Sequence, residues 1–169
     1  ISGVLGENIS MMSMLLEAFG KMPHLTLHIT GVIDNDSRIK ETVGKHKNII
    51  YHGCVPYDEY LDILHRTPFL LSTRNPEYPE NQCNFPSKII EALLHNRIIV
   101  STLHYEQLNG INYFEVPAEA DGFIKAIEHI ANIDDKELKC YANQSQFVKE
   151  MFNTNVWNKT ICMIEDQNV

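Results

Sequence analysis

Apolar residues along this chain fall into two spacings. Short runs such as ISGVL (1–5), LTLHITG (25–31), NIIYHGCV (48–55), TPFLLST (67–73) and RIIVST (97–102) have the length and branched-residue content of strands buried on both faces. Between them apolar positions recur every three or four residues. Ile9, Met12, Leu15, Leu16 and Phe19 share one face of a helix predicted over 9–22, and Tyr60, Leu61 and Leu64 share a face of another. Pro56 stands at the start of that second helix, where its missing N–H is no loss. A polar stretch over 36–47 predicts a short exposed helix, and NYFEV (112–116) a sixth, short edge strand. Residues 118–132 predict a helix with Phe123, Ile127 and Ile130 on one side. From 135 to about 165 one or two closing helices follow, whose Met, Phe and Trp157 read as docking residues without chemistry.

Strands alternating with amphipathic helices predict an α/β fold: a doubly wound, Rossmann-like parallel sheet in three layers, with right-handed crossovers and C-terminal helices. Ligands of such sheets sit beyond the carboxyl ends of the strands. That edge comprises 3–8, 31–35, 53–57, 73–88 and 102–105. A length of 169 residues is enough for one sizeable core and short of two typical domains, so 1–169 reads as a single domain. A formal charge of -8 excludes a broad polyanion-binding surface; nucleic acid is not an expected partner, while a local phosphate site stays open. Cys54, Cys83, Cys140 and Cys162 are spaced too widely for a zinc site, and no carboxylate cluster has ligand spacing, so no metal is expected. Reduced thiols and the lack of an 18-residue apolar run or signal peptide suggest the cytoplasm. The opening ISGVLGE, already in a strand and without Met, reads as part of something longer.

NPEYPENQCNFPSKIIEALLHNRIIVST (75–102) sets an irregular loop directly against a regular helix. Long loops at the strand-carboxyl edge often position ligands. Pro86 and Ser87 form a helix start, so the first turn offers unpaired N–H donors and the positive end of the helix dipole to a diphosphate. Lys88 adds a cation. Glu91, one turn after Ser87, has the acceptor oxygens that sugar hydroxyls need. From spacing alone these three also read as a cap, a solvated charge and a surface carboxylate. Gly3 and Gly6 lack the third glycine of a dinucleotide fingerprint, and no phosphate-loop motif occurs, which disfavours hydride transfer and P-loop hydrolysis. Gly6 and Gly31 divide evenly between tight turns and close approach to a ligand. His52 is expected as a packed strand residue, and Cys83 has no predicted base to make it a nucleophile.

The order G-V-L near the start, LLEAFGKMPHLTLHITG, NIIYHGCVPYDEYLDIL and above all NP...FPSKIIEALLHNRIIVST resembles the C-terminal, donor-binding half of retaining glycosyltransferases of the GT-B fold, group 1 or family 4. The resemblance covers 1 to about 102 in sequence and the remainder in organisation. It implies transfer of a sugar from a UDP- or GDP-linked nucleotide-diphosphate sugar, with no separate cofactor. The acceptor, a saccharide or a lipid-linked one, is held largely by an N-terminal domain, and the full-length protein lies in the cytoplasm or at the inner membrane face. It further implies that Pro86, Ser87 and Lys88 meet the diphosphate, that Glu91 holds the ribose, that Val55 in the 52–57 turn flanks the base, and that Gly6 lies close to the phosphates. No catalytic residue is assigned. Two departures stand out. Many relatives carry two glutamates separated by seven residues, and counting back from Glu91 lands on Cys83; some relatives with Asn-Pro and Phe-Pro-Ser-Lys also lack the first. No Arg or Lys follows Gly6 closely, leaving Lys88 and the helix dipole as the positive elements. Cys83 motivates an alternative, a non-catalytic nucleotide-sugar-binding or assembly module; a GT-B-like sugar-nucleotide epimerase is a third reading.

Overall fold

The computed structural model describes residues 1–33, 37–83, 87–153, 155, 156 and 158. Among these residues six strands form, parallel within each ladder: β1 (Ser2–Leu5), β2 (Leu27–Ile33), β3 (Ile49–Gly53), β4 (Phe69–Ser72), β5 (Ile98–Ser101) and β6 (Phe114–Glu115). They pair as two three-stranded ladders, β1-β2-β3 and β4-β5-β6. Among the described residues no ladder joins β1 to β4; side chains make that junction.

The helices are α1 (Glu7–Ser10), α2 (Met12–Lys21), α3 (Ser37–Lys45), α4 (Tyr57–Arg66), α5 (Pro79–Gln82), α6 (Ser87–Leu94), α7 (Ala120–Ala131), α8 (Asp135–Ala142) and α9 (Ser145–Met151). Successive strand residues point to opposite faces, and the burial follows that period. Leu71 of β4 and Val100 of β5 enter a core with α2, α7 and the β1-β2-β3 ladder, whereas Leu70 and Ile99 enter a second core with α4, α6 and Val148 of α9. Helices therefore cover both faces, and the doubly wound α/β class holds. No helix among the described residues is long and apolar enough to cross a membrane.

Three local differences from the sequence reading have physical causes. The helix expected over 9–22 is divided at Met11, which takes a left-handed conformation and both ends α1 and starts α2. Ser10 is turned back at that point: its Oγ accepts from the Gly6 N–H and donates to the Gly6 carbonyl. Strand β2 runs two residues past Gly31, so Gly31 is not a turn. It lies in register with Gly3, both at positive φ (119° and 124°), and a Cβ there would collide with the Gly3 carbonyl. The loop after β4 contains α5, which starts on Pro79 at a position that tolerates a missing N–H. Elsewhere Asn48 fastens α2 to the start of β3, its Nδ2 donating to the carbonyls of Phe19, Met22 and Leu25.

At the junction of the ladders lies a cavity of about 350 Å³, walled by Phe19, Leu27, Ile63, Leu64, Leu71 and Ile127 among others. It is apolar and belongs to the core.

Candidate functional site

The carboxyl edge of the strands is held together by buried polar groups. Thr73 Oγ1, just past β4, donates to the Ser10 carbonyl at 2.8 Å, and Ser10 in turn holds Gly6. The next residue is clasped from β5: the Arg74 N–H donates to Thr102 Oγ1 at 2.7 Å, and that hydroxyl donates back to the Arg74 carbonyl at 2.6 Å. Arg74 Nη1 donates to Asn81 Oδ1 at 3.1 Å, while Asn81 Nδ2 donates to the Asn75 carbonyl at 2.9 Å. Ser10, Thr73 and Asn81 are buried. Each is paired, as burial of a polar group requires. The 75–83 loop is thus folded back on its own strand end rather than loose.

Arg74 escaped the sequence reading. No Arg or Lys follows Gly6 closely in the chain, yet the Thr73–Ser10 bond sets the Arg74 strand end beside the Gly6 turn. The available signal was an arginine immediately after a strand ending in Ser-Thr at the ligand edge. Gly6 itself has extended backbone (φ -144°, ψ 168°), and its N–H is already engaged by Ser10.

The second part of the site is built by α4 and α6. Glu91 sits one turn into α6 with 23% of its side chain exposed; its Oε2 accepts from the Tyr60 hydroxyl at 3.1 Å and from Lys88 Nζ at 3.4 Å. Lys88 Nζ also lies 4.8 Å from the centroid of the Tyr60 ring, within cation–π range. Burial above all, with the Glu91 carboxylate adding to it, pushes the Tyr60 hydroxyl up to about 12. Tyr60 thus remains a proton donor to Glu91 throughout the physiological range. Tyr57, exposed at the first position of α4, is also raised, first through a hydrogen bond to Glu91, and its ring stands 6.1 Å from that of Tyr60. Val55 is half-buried against the second core, two residues before Tyr57. The 52–57 turn and Glu91 are therefore neighbours through two tyrosines that sequence reading had placed only on a helix face or in a turn.

Of the other expected residues, Ser87 and Lys88 are exposed in the first turn of α6, and Pro86 lies outside the described residues. Cys83 is exposed at the end of α5. His52 is a packed strand residue, as its sequence context suggested: it occupies the irregularity between β2 and β3, and its Nε2 lies 2.9 Å from His28 Nδ1. Among the described residues no three His, Cys, Asp or Glu converge on a metal position.

Chemically, the edge presents the first turn of α6 with Lys88 on it, the Arg74 guanidinium past the end of β4, and a carboxylate oriented by a phenol. Such a set suits a phosphate ester carrying a polyhydroxylated ring.

No family model matches the chain, and no curated protein does. Solved structures do share its fold. HepE of Anabaena, in complex with UDP and glucose, superposes with a TM-score of 0.69 at 15% identity, covering 98% of this chain and 48% of that one. A glycosyltransferase from Rickettsia africae gives 0.71 at 17% identity, over 98% of this chain and 47% of that one. The catalytic domain of the Helicobacter pylori cholesterol-alpha-glucosyltransferase gives 0.59 at 18%, covering 89% of this chain and 94% of that domain. The chain spans about half the length of the first two. At these identities the likeness defines the fold, a Rossmann-like domain of the GT-B type.

Proposed function

We propose that this chain is the donor-binding half of a retaining glycosyltransferase of the group 1 or family 4 kind. It takes a UDP- or GDP-linked sugar, for transfer to a saccharide or lipid-linked acceptor presented by an N-terminal domain. The observation that carries the proposal is Glu91. A carboxylate three-quarters buried on α6, oriented by the Tyr60 hydroxyl and flanked by Lys88, faces the turn that holds Val55 and Tyr57. In this reading Glu91 accepts the ribose hydroxyls, the 52–57 turn flanks the base, and the N–H groups of 87–89 with Lys88 and Arg74 meet the diphosphate.

The chemical problem is departure of the nucleotide diphosphate as the sugar carbon becomes cationic. Fixed N–H dipoles and cations at that edge stabilise the growing negative charge without reorganisation. No protein nucleophile is assigned, and acceptor deprotonation falls to the leaving phosphate. The chain alone is expected to transfer nothing, because acceptor orientation needs the other domain.

Calorimetric titration with UDP, GDP and uridine tests the assignment. The diphosphates are expected to bind more tightly than the nucleoside, and Glu91→Ala to weaken them about tenfold or more, the worth of one or two hydrogen bonds to a charged group. Unchanged affinity in that variant overturns the ribose role. Cys83 favours a second reading, a binding or assembly module without turnover. Full-length protein that binds a donor and neither transfers nor hydrolyses it would establish that reading.

A further inference from the structure

A second concavity, of about 550 Å³, opens beside the first site, between the segment that follows β5 and strand β6. Its wall carries a linked trio. Glu115 of β6 lies 2.7 Å through Oε1 from His104 Nδ1, and the Tyr113 hydroxyl lies 3.5 Å from the same nitrogen. Tyr113 accepts the Tyr105 backbone N–H at 2.9 Å, and burial together with the Glu115 carboxylate raises its hydroxyl, so that it stays protonated. The Glu115 contact engages His104 Nδ1 and leaves Nε2 as the second polar atom of the ring. Leu108 and Ile111, both buried, supply an apolar floor.

Stability does not account for the trio. The His104 and Glu115 side chains are 67% and 50% exposed, and ion pairs at such exposure contribute at most about 1 kcal/mol. What the trio does provide is an oriented imidazole, a carboxylate and a phenol that both donates and accepts, ranged over an apolar floor. Sugar rings present that complement: hydroxyls at the rim and C–H groups on a face. The pocket is also tied to the first site. Thr102, two residues before His104, clasps Arg74, and the Tyr105 hydroxyl lies 3.4 Å from Ser72 Oγ at the end of β4.

We propose that this pocket is a saccharide subsite, in which His104 Nε2 pairs with a sugar hydroxyl and Glu115 and Tyr113 hold its neighbour. The proposal rests on the glycosyl-transfer reading for its substrate class, and it assigns the pocket residues a role in sugar selection rather than nucleotide binding. The sugar has two possible sources, the glycosyl group of the donor or a free acceptor saccharide.

The test is NMR titration of the full chain with UDP, a panel of UDP-hexoses, and the corresponding methyl glycosides with and without saturating UDP. The Glu115→Gln and Tyr113→Phe variants are titrated alongside, the first keeping the shape of an exposed side chain and therefore the fold. Resonances of His104 and Tyr113 are expected to shift with at least one sugar-bearing ligand. Both variants are expected to weaken that ligand fivefold or more while UDP affinity stays within twofold. A shift with UDP-hexose only identifies the donor sugar, and one with methyl glycoside the acceptor. If UDP does not bind at all while a glycoside still shifts His104, the nucleotide reading fails and the subsite stands. The proposal is overturned if no sugar-bearing ligand perturbs the trio, or if the variants weaken UDP and UDP-hexose alike.

Discussion

At the scale of single residues, the account turns on how Glu91 is held. Its carboxylate takes the hydroxyl of a tyrosine pushed up to about 12, so Tyr60 keeps its proton across the physiological range. Tyr60→Phe removes the orienting donor and leaves the carboxylate. Nucleotide affinity is expected to fall threefold to tenfold, with about 1 kcal/mol of stability lost, the usual worth of one hydrogen bond. Parallel calorimetry and thermal unfolding check both figures; unaltered affinity would mean that Tyr60 plays no part in positioning Glu91. The candidate residues divide by the kind of information they need. Ser87, Lys88 and Glu91 were legible because they lie on one helix, where spacing fixes relative position. Tyr57, Tyr60 and Arg74 were not, because their roles come from contacts between elements. A tyrosine on the apolar face of α4 looks like core until α6 brings a carboxylate to it.

At the scale of elements, alternating periodicity was enough to read the strands, the major helices and their order. Errors fell where one residue's backbone or side chain overrides periodicity: Met11 with Ser10 dividing the first helix, and Gly31 continuing a strand that glycine was expected to end. The Gly3–Gly31 pair gives a sharp contrast. An alanine at either position carries the strain of a positive φ, about 1–2 kcal/mol, but the added Cβ meets open space at Gly3 and the opposite carbonyl at Gly31. Gly31→Ala is expected to cost at least about 2 kcal/mol more than Gly3→Ala in chemical denaturation. Equal costs would contradict the β1–β2 register. The β2–β3 pair is expected to make the fold acid-sensitive. Burial first, then the charge of His52, lowers His28 below the ordinary histidine value, so the unfolded chain takes up that proton before the folded one does. Stability from this pair is complete above the ordinary histidine pKa and is lost as pH falls through the lowered one. His52→Gln is therefore expected to shrink, without abolishing, the drop in melting temperature between pH 7.5 and 5.5. An unchanged drop would show that the imidazole pair is uncoupled.

At the scale of the whole molecule, two ladders with no strand pairing between them among the described residues depend on a shared core. Leu71, Val100 and Val116 from the second ladder meet Leu5, Leu27 and Ile29 from the first around Phe123, which is fully buried. Phe123→Ala is expected to cost about 3–5 kcal/mol and to lower both ladders in one transition, read as coincident far-ultraviolet dichroism and tyrosine fluorescence curves. Separate transitions would show two independently stable halves. The same junction places the edges of both ladders on one surface, which is where the nucleotide is assigned. Backbone amide exchange of the chain, measured with and without UDP or GDP, tests that assignment most directly. Protection is expected to gather at 53–57 and 87–91, with a weaker effect at 73–75. Protection centred instead on the apolar cavity between the ladders, or none at saturating nucleotide, would contradict the account.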